Sequence, residues 1–393
     1  MMTKKILWLT SWYPNHISPY EGDFIQRHAR AVTTYTRIIV FYMSQAGEAV
    51  DVNESQFIEH EKEGVIEKIF FFKFKKTGFK WVDKLRYNIS YYKTYKKAIK
   101  DYIHHTGEPD FVHVHVPMKA GMIALWIKRR WKIPYIVSEH SSLYNNSSVD
   151  SFYKKSLLHR RSVKKIFRNA IAVTNVSANV AGVIKDLFHL SFVKVIYNTV
   201  NTSLFNYKNF DPVKFRFIHV STLTPQKNVE GILNAVKNLS KQRKNFELVI
   251  VGPISSELVK LIDQLELSSF VSYTGEITYA EVAVQMQNAS AFIMFSRHEN
   301  FPCVIIEALC CGLPCIATNV GGVPEAINES NGILVESEIE QQLYEAMNKM
   351  MDYYSEFDKE KIAIEAQQKY NYATIGKHFY DLYEEILAKQ STL

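Results

Sequence analysis

Short apolar runs alternate along this chain with longer stretches whose apolar positions recur every three or four residues. That alternation predicts parallel strands joined by crossover helices. In the first half the runs at 6–10, 37–43, 65–72, 111–116, 135–138, 171–174 and 193–196 read as strands. The stretches 23–35, 85–104, 119–131, 152–167 and 178–188 read as helices. The periodicity lapses between Asn198 and Phe215, through Asn-Thr-Val-Asn-Thr-Ser and Asn-Phe-Asp-Pro, which predicts a linker. A second alternating set follows, with strands at 215–221, 246–251, 271–274, 291–295, 314–317 and 333–335. Helices fill 229–239, 257–265, 279–286, 304–311 and 339–351. The expected fold class is therefore α/β, with two Rossmann-like doubly wound domains facing each other across a cleft. The expected domains are 1–205 and 206–372, with a C-terminal helix, 373–393, packing back toward the first. Ligands in such folds bind beyond the carboxyl ends of the strands.

Composition narrows the class. Of 393 residues, 47% are hydrophobic and 22% charged, with only 15 glycines and 11 prolines, which excludes disorder and low-complexity repeats. No apolar run is long enough to span a bilayer; the best, 304–318, is interrupted by Glu307, Gly312 and Pro314. The apolar run after Lys4-Lys5 is short and ends in Thr10-Ser11-Trp12-Tyr13-Pro14, so it reads as a buried strand and not as an export signal. The expected location is cytoplasmic. All four cysteines (Cys303, Cys310, Cys311, Cys315) lie within 303–315, without the paired spacing of a zinc knuckle, and read as packing residues.

Charge changes the picture more. Residues 1–210 carry 32 Lys and Arg against 16 Asp and Glu, whereas 211–393 carry 15 against 24. The basic half should favour an anionic surface or ligand. Its charge gathers in 84–103, where lysines interleave with Tyr87, Tyr91, Tyr92, Tyr95 and Tyr102, in 128–132, and in 154–168. No nucleic-acid-binding motif accompanies these segments, so nucleic acid is not an expected partner. An anionic membrane surface is.

The chain has neither G-x-G-x-x-G after its first strand nor G-x-x-x-x-G-K-[ST], so a nicotinamide dehydrogenase or a P-loop nucleotidase is unsupported. His113-x-His115 lies on one strand face and reads as structural or substrate-facing. The informative segment is 296–314. A strand ends there, Asn300 with Pro302 marks a helix start, and Gly312 with Pro314 ends the helix. Glu299 then lies in the loop, Glu307 on the second turn, and the amides near Phe301 to Val304 form an anion site suited to a diphosphate. Two carboxylates beside such a site suit sugar and ribose hydroxyls.

Glu299 and Glu307 at Glu-x7-Glu, followed by Ala308, Gly312, Pro314 and Gly321-Gly322-Val323-Pro324-Glu325, resemble the signature of the retaining glycosyltransferases of family 4, also called glycosyl transferases group 1, of GT-B architecture. The resemblance implies that Glu299 contacts the transferred sugar and Glu307 the ribose. It implies that the loop Asn300, Phe301, Pro302 and Cys303 binds donor sugar or phosphate through its backbone N–H groups, Pro302 having none. Asn300 stands where the family more often has glycine. Upstream, 220–228 resembles the family's Gly-Arg-Leu-x-x-x-Lys-Gly segment. Lys227 matches the lysine that neutralises the diphosphate, and Thr222 stands in place of the arginine. Gly252 lies in the stretch beside the base. In the first domain, Gly22 matches the glycine loop near the donor phosphates, and His140 the histidine near the reacting sugar.

These correspondences imply a retaining transferase that adds a sugar from a nucleotide diphosphate, UDP- or GDP-linked, to a lipid-linked glycan acceptor of a surface polysaccharide. The enzyme would work at the inner face of the cytoplasmic membrane, with domain 1–205 taking the acceptor and 206–372 the donor. No cofactor or metal is expected, because Lys227 and the helix amides can steady the departing diphosphate and no Asp-x-Asp segment is present. A soluble acceptor, or a non-catalytic nucleotide or nucleic-acid binding protein, are the alternatives.

Overall fold

The computed structural model describes residues 4–45, 56–74, 76–141, 143–144, 151–209 and 213–391. Part of the expected linker, 210–212, and the first three residues lie outside them. The chain divides into two compact units, one of residues 1–176, 181–196 and 375–393 and the other of 177–180 and 197–374.

The first unit is built on a sheet of β1 (Ile6–Thr10), β2 (Ile38–Gln45), β3 (Gln56–Lys62), β4 (Val65–Phe72), β5 (Phe111–His115), β6 (Tyr135–Glu139), β7 (Ala172–Asn175) and β8 (Lys194–Val195). Among the described residues the order is β3-β4-β2-β1-β5-β6-β7-β8, with β3 alone antiparallel. β1 lies between β2 and β5, with Ile6 opposite both Ile38 and Phe111. Its residues are all buried, as a central parallel strand covered on both faces must be. The connecting helices are α1 (Asp23–Thr33), α2 (Lys80–Thr106), α3 (Ala120–Trp131), α4 (Leu157–Asn169) and α5 (Ala178–Phe188).

The second unit carries β9 (Phe215–Val220), β10 (Phe246–Val251), β11 (Val271–Gly275), β12 (Ala291–Met294), β13 (Cys315–Thr318) and β14 (Gly332–Val335), all parallel in the order β11-β10-β9-β12-β13-β14. Its helices are α6 (Val229–Gln242), α7 (Ser256–Gln264), α8 (Tyr279–Gln287), α9 (Cys303–Cys310), α10 (Glu340–Asp352) and α11 (Lys359–Tyr370). Phe217, Leu248, Ile250 and Ile293 of the sheet pack with Ile232, Val236, Leu343 and Met347 of α6 and α10 in one buried cluster. A last helix, α12 (Tyr372–Ser391), enters the first unit from Ile375, where the Tyr383 hydroxyl lies 2.7 Å from His113 Nδ1.

Three expectations change. The boundary expected at 205 falls between Ile196 and Tyr197. Residues 197–205 are bound to the second unit: Asn198 donates to the Phe301 carbonyl at 2.6 Å, Val200 N–H to Tyr370 at 2.9 Å, and Gln287 to Leu204 at 2.9 Å. The helix expected at 152–167 is a short 3-10 turn, Phe152–Lys154, followed by α4. Ser156 starts α4 anew by accepting from the His159 N–H at 3.3 Å. β3 has no counterpart in the predicted strands.

Candidate active site

In both sheets the strand order reverses at a point where two neighbouring loops leave in opposite directions, and such points hold ligands. In the second unit that point lies between β9 and β12. The loop after β9 carries Thr222 and Lys227; the loop after β12 carries Glu299. The two are laced together. Arg297 N–H donates to the Gln226 carbonyl at 2.8 Å, Gln226 Nε2 to the His298 carbonyl at 2.7 Å, and Lys227 Nζ to Glu299 Oε1 at 2.6 Å. Glu299 is buried and Lys227 half-buried, so each charge is held by the other in place of water.

Loop shape is fixed from beneath. His219 on β9 is buried, with Nδ1 2.9 Å from the Ile293 carbonyl and Nε2 2.8 Å from Ser221 Oγ. Burial lowers its pKa to about 4, so it is neutral at physiological pH. Ser221 Oγ accepts in turn from the Leu223 N–H at 3.0 Å. Thr222 is exposed and carries no charge. A second cation against this loop is Arg297, which donates to the Pro225 carbonyl and to Glu338 at 2.9 Å. Gly252 follows β10 and donates to the Gly275 carbonyl at 3.1 Å.

Asn300, Phe301 and Pro302 lead into α9. Pro302 takes the N-cap and not the first helical position, so no cap side chain accepts from the first-turn amides. Asn300, expected to mark the helix start, instead accepts from Ser177 Oγ at 2.7 Å, and its carbonyl accepts from Gly322 N–H at 2.7 Å. Cys303 opens the helix. Glu307, one turn on, is buried, and the Tyr279 hydroxyl donates to its Oε1 at 2.5 Å. Tyr279 begins α8 behind a capping box of Thr278 and Glu281, which fixes where its ring projects.

The Gly321-Gly322 pair explains itself by space. Gly321 has φ +56°, and a Cβ there would lie 2.0 Å from the Glu299 carbonyl oxygen; one on Gly322 would lie 2.6 Å from that of Asn300. Only glycine lets this turn brace the Glu299–Asn300 loop. Glu325 accepts from the N–H groups of Ala178 at 2.9 Å and Asn179 at 3.0 Å, at the start of α5, where a carboxylate meets the helix dipole.

The first unit holds Gly22 and His140. Gly22 is the N-cap of α1 at φ +69°. His140 follows β6 and is buried, stacked on His115 with ring centroids 5.3 Å apart and Nε2 3.1 Å from His115 Nδ1. His28 and Phe24 flank it. Burial holds the pKa of His113, His115 and His140 well below the usual range, so the cluster is neutral. The turn bearing His140 is held by buried Glu139, which accepts from the N–H groups of His140 and Ser141 and from the hydroxyls of Ser141 and Tyr144, all at 2.8–2.9 Å. Among the described residues no group of three or more His, Cys, Asp or Glu is arranged to hold a metal ion.

Tyr279, His219, Glu139 and Ser177 were not legible as site residues. Tyr279, His219 and Ser177 act through partners distant in sequence, whereas Glu139 acts on the residues that follow it, beside His140.

Residues 201–370 match the family Glycosyl transferases group 1, and 32–204 match Glycosyltransferase Family 4. The chain is 25% identical to TuaC of Bacillus subtilis, named for teichuronic acid biosynthesis, over 88% of both chains. It is 24% identical to the alpha-monoglucosyldiacylglycerol synthase of Streptococcus pneumoniae over 58% of this chain and 55% of that one. Over two of its curated relatives the chain spans 55% and 66% of their length. HepE of Anabaena, solved with UDP, superposes with a TM-score of 0.72 at 18% identity, over 97% of this chain and 100% of that one. With matched family regions that together run from 32 to 370 and two parallel-sheet units, the chain belongs to the glycosyl transferases of group 1 and has the GT-B fold.

Proposed function

We propose that this enzyme transfers a sugar from a nucleotide diphosphate, UDP-linked in the first instance and GDP-linked otherwise, to a lipid-linked glycan acceptor in surface polysaccharide synthesis, with retention at the anomeric carbon. The observation that carries the reading is the Lys227–Glu299 pair at 2.6 Å, set at the switch point beside the start of α9. A UDP complex of HepE and the glycolipid and teichuronic acid names of two relatives support the donor and acceptor classes.

The chemistry follows from charge. When the bond between C1 and the phosphate oxygen breaks, its electron pair stays on the nucleoside diphosphate. That gain in charge needs fixed positive groups. Lys227 supplies one; the first-turn N–H groups of α9, which begin at Cys303 behind Pro302, supply partial charges without reorganising. The arriving phosphate competes with Glu299 for Lys227, which frees the Glu299 carboxylate to accept from donor-sugar hydroxyls and steady the oxocarbenium-like carbon. Glu307, oriented by the Tyr279 hydroxyl, is assigned to the ribose. Fixed charges of this kind require no metal, so turnover should withstand EDTA. In the first unit His140 is assigned to placing hydroxyls of the acceptor or the reacting sugar, and the basic helices to an anionic membrane.

The test is a panel of nucleotide sugars with a membrane lipid extract. The expected result is sugar transfer to lipid from one nucleotide sugar, in EDTA, with the anomeric configuration retained by NMR. Inversion, or activity that magnesium or manganese restores after chelation, would overturn the corresponding part.

A further inference from the structure

Three of the five tyrosines of α2 turn away from solvent, and Tyr87 and Tyr92 are half-buried. Tyr91, Tyr95 and Tyr102 are buried, with the Tyr95 hydroxyl donating to the Phe41 carbonyl at 2.9 Å and Tyr91 against Phe72. The apolar side chains this helix exposes are in its first turns: Trp81 at 74%, Leu85 at 53% and Ile89 at 57%, with Phe79 at 68% just ahead. Trp81, Leu85 and Ile89 are spaced by four and form one row. The same row continues in Lys93 and Lys97, both exposed, and Lys80 and Lys84 are exposed beside it.

The row is held in place. Asp83 accepts from the N–H of Thr77 at 2.7 Å and of Gly78 at 3.2 Å, which fixes the approach to the helix. It also lies at a defined edge. α2 leaves β4 and α4 leaves β6, two parallel strands of one sheet, so both helices start toward the carboxyl edge. Lys119, just past β5, donates to the Tyr87 hydroxyl at 2.6 Å and ties this part of α2 to that edge. α4 repeats the composition there: Leu157 and Leu158 in its first turn are 67% and 77% exposed, near the exposed Lys154 and Arg161.

We propose that the first turns of α2 insert into the headgroup boundary of an anionic bilayer, with Trp81, Leu85 and Ile89 as the apolar contact and Lys84, Lys93 and Lys97 as the basic flank. The first turn of α4 is a second contact on the same edge. An apolar patch so large asks for a partner. Lysine is depleted from protein–protein interfaces, whereas an apolar row ringed by lysines is the pattern of helices that lie in a membrane surface. Insertion differs from electrostatic adsorption in leaving part of the binding resistant to salt. This inference rests on the lipid-acceptor reading and names the surface that serves it.

The test uses the full chain with phosphatidylcholine vesicles and with vesicles containing phosphatidylglycerol, at low and high salt. Wild type is expected to co-sediment with the anionic vesicles and keep a measurable fraction bound at high salt. Trp81→Ser/Leu85→Ser, exposed positions whose loss should not unfold the protein, is expected to lower the partition coefficient by more than about tenfold. Lys84→Glu/Lys93→Glu should lose binding chiefly at low salt. Wild-type binding that Trp81→Ser/Leu85→Ser leaves unchanged overturns this surface while the membrane reading stands. No binding to anionic vesicles, with nucleotide-sugar hydrolysis intact, overturns both surface and membrane acceptor but leaves glycosyl transfer. Self-association in solution that Trp81→Ser/Leu85→Ser abolishes, without lipid binding, assigns the patch to a second copy and overturns the proposal.

Discussion

At the switch point of the second unit, charge is set against charge: Lys227 on Glu299, with the backbone of two loops laced around them. At that of the first, neutral rings are set against one another: His113 and His115 pack against Trp8, and His140 stacks on His115 with Phe24 and His28 beside it. The same topology thus supports two kinds of site. One can stabilise a charge that develops during reaction. The other can accept or donate single hydrogen bonds while keeping charge out, because protonating any ring in it meets burial and its neighbours. The first should be sensitive to loss of charge, and the second to loss of shape and to acid.

The sharpest way to break this contrast is to exchange the effects. Lys227→Ala should lower kcat by about a hundredfold to a thousandfold, the scale of losing one preorganised stabiliser of developing charge. It also leaves Glu299 buried and unpaired. His140→Ala should lower kcat as well, yet leave the affinity for free nucleoside diphosphate unchanged. Steady-state kinetics on both variants decides; equal loss of nucleotide affinity in the two would erase the distinction.

Next in size is the brace under the charged loop. Gly322→Val should destabilise the fold by about 2–3 kcal/mol, because its Cβ must displace the Asn300 carbonyl or the Ser177 side chain. A thermal unfolding midpoint equal to wild type would show the turn to be more tolerant than its spacing indicates.

The histidine cluster predicts a pH dependence that the charged pair does not. Its folded pKa values lie below the unfolded value of about 6.5. In acid the unfolded chain therefore binds more protons than the folded one. The cluster's stability is fully present above about pH 6.5 and is lost as pH falls from there toward the folded values. The slope is up to about 1.4 kcal/mol per pH unit for each histidine. Glu139, raised by burial, opposes this in the lower part of the range. His115→Phe should flatten the fall in melting temperature between pH 7 and 5.5; an unchanged slope would mean that the cluster does not titrate on unfolding.

The smallest effect separates the two carboxylates. Tyr279→Phe removes one hydrogen bond to Glu307 and should weaken nucleotide affinity about fivefold, near 1 kcal/mol, with kcat little changed. Glu299→Ala should do the reverse. Calorimetry and kinetics on the same preparations test the split.

What could be read from the residues alone follows the same division. The buried parallel strands were legible because they are short, mainly apolar runs, and 65–72 and 246–251 coincide with β4 and β10. The Glu299–Glu307 spacing was legible because a strand end, a Pro302 turn and a Gly312 stop leave that segment one local structure. β3 was hidden: Gln56-Phe-Ile-Glu-His-Glu-Lys62 is an edge strand whose charges obscure the alternation. The α4 start was hidden by helical spacing that runs through Ser156, where capping breaks the chain's path. On α2, lysines and tyrosines interleave in sequence, but helical pitch sends Tyr91, Tyr95 and Tyr102 inward and leaves Trp81 and Leu85 outside. Contacts such as Tyr279 to Glu307 or His219 to Ile293 join residues far apart in the chain, and composition carries no trace of them.

The most direct test of the central claim, that the second unit's switch point is a nucleotide-sugar site built on Lys227, is calorimetric titration of UDP- and GDP-sugars into the full chain. One of them should bind to wild type and to His140→Ala with equal affinity, and binding to Lys227→Ala should weaken at least about tenfold. Equal affinity in Lys227→Ala, or no binding of any nucleotide sugar to wild type, would contradict it.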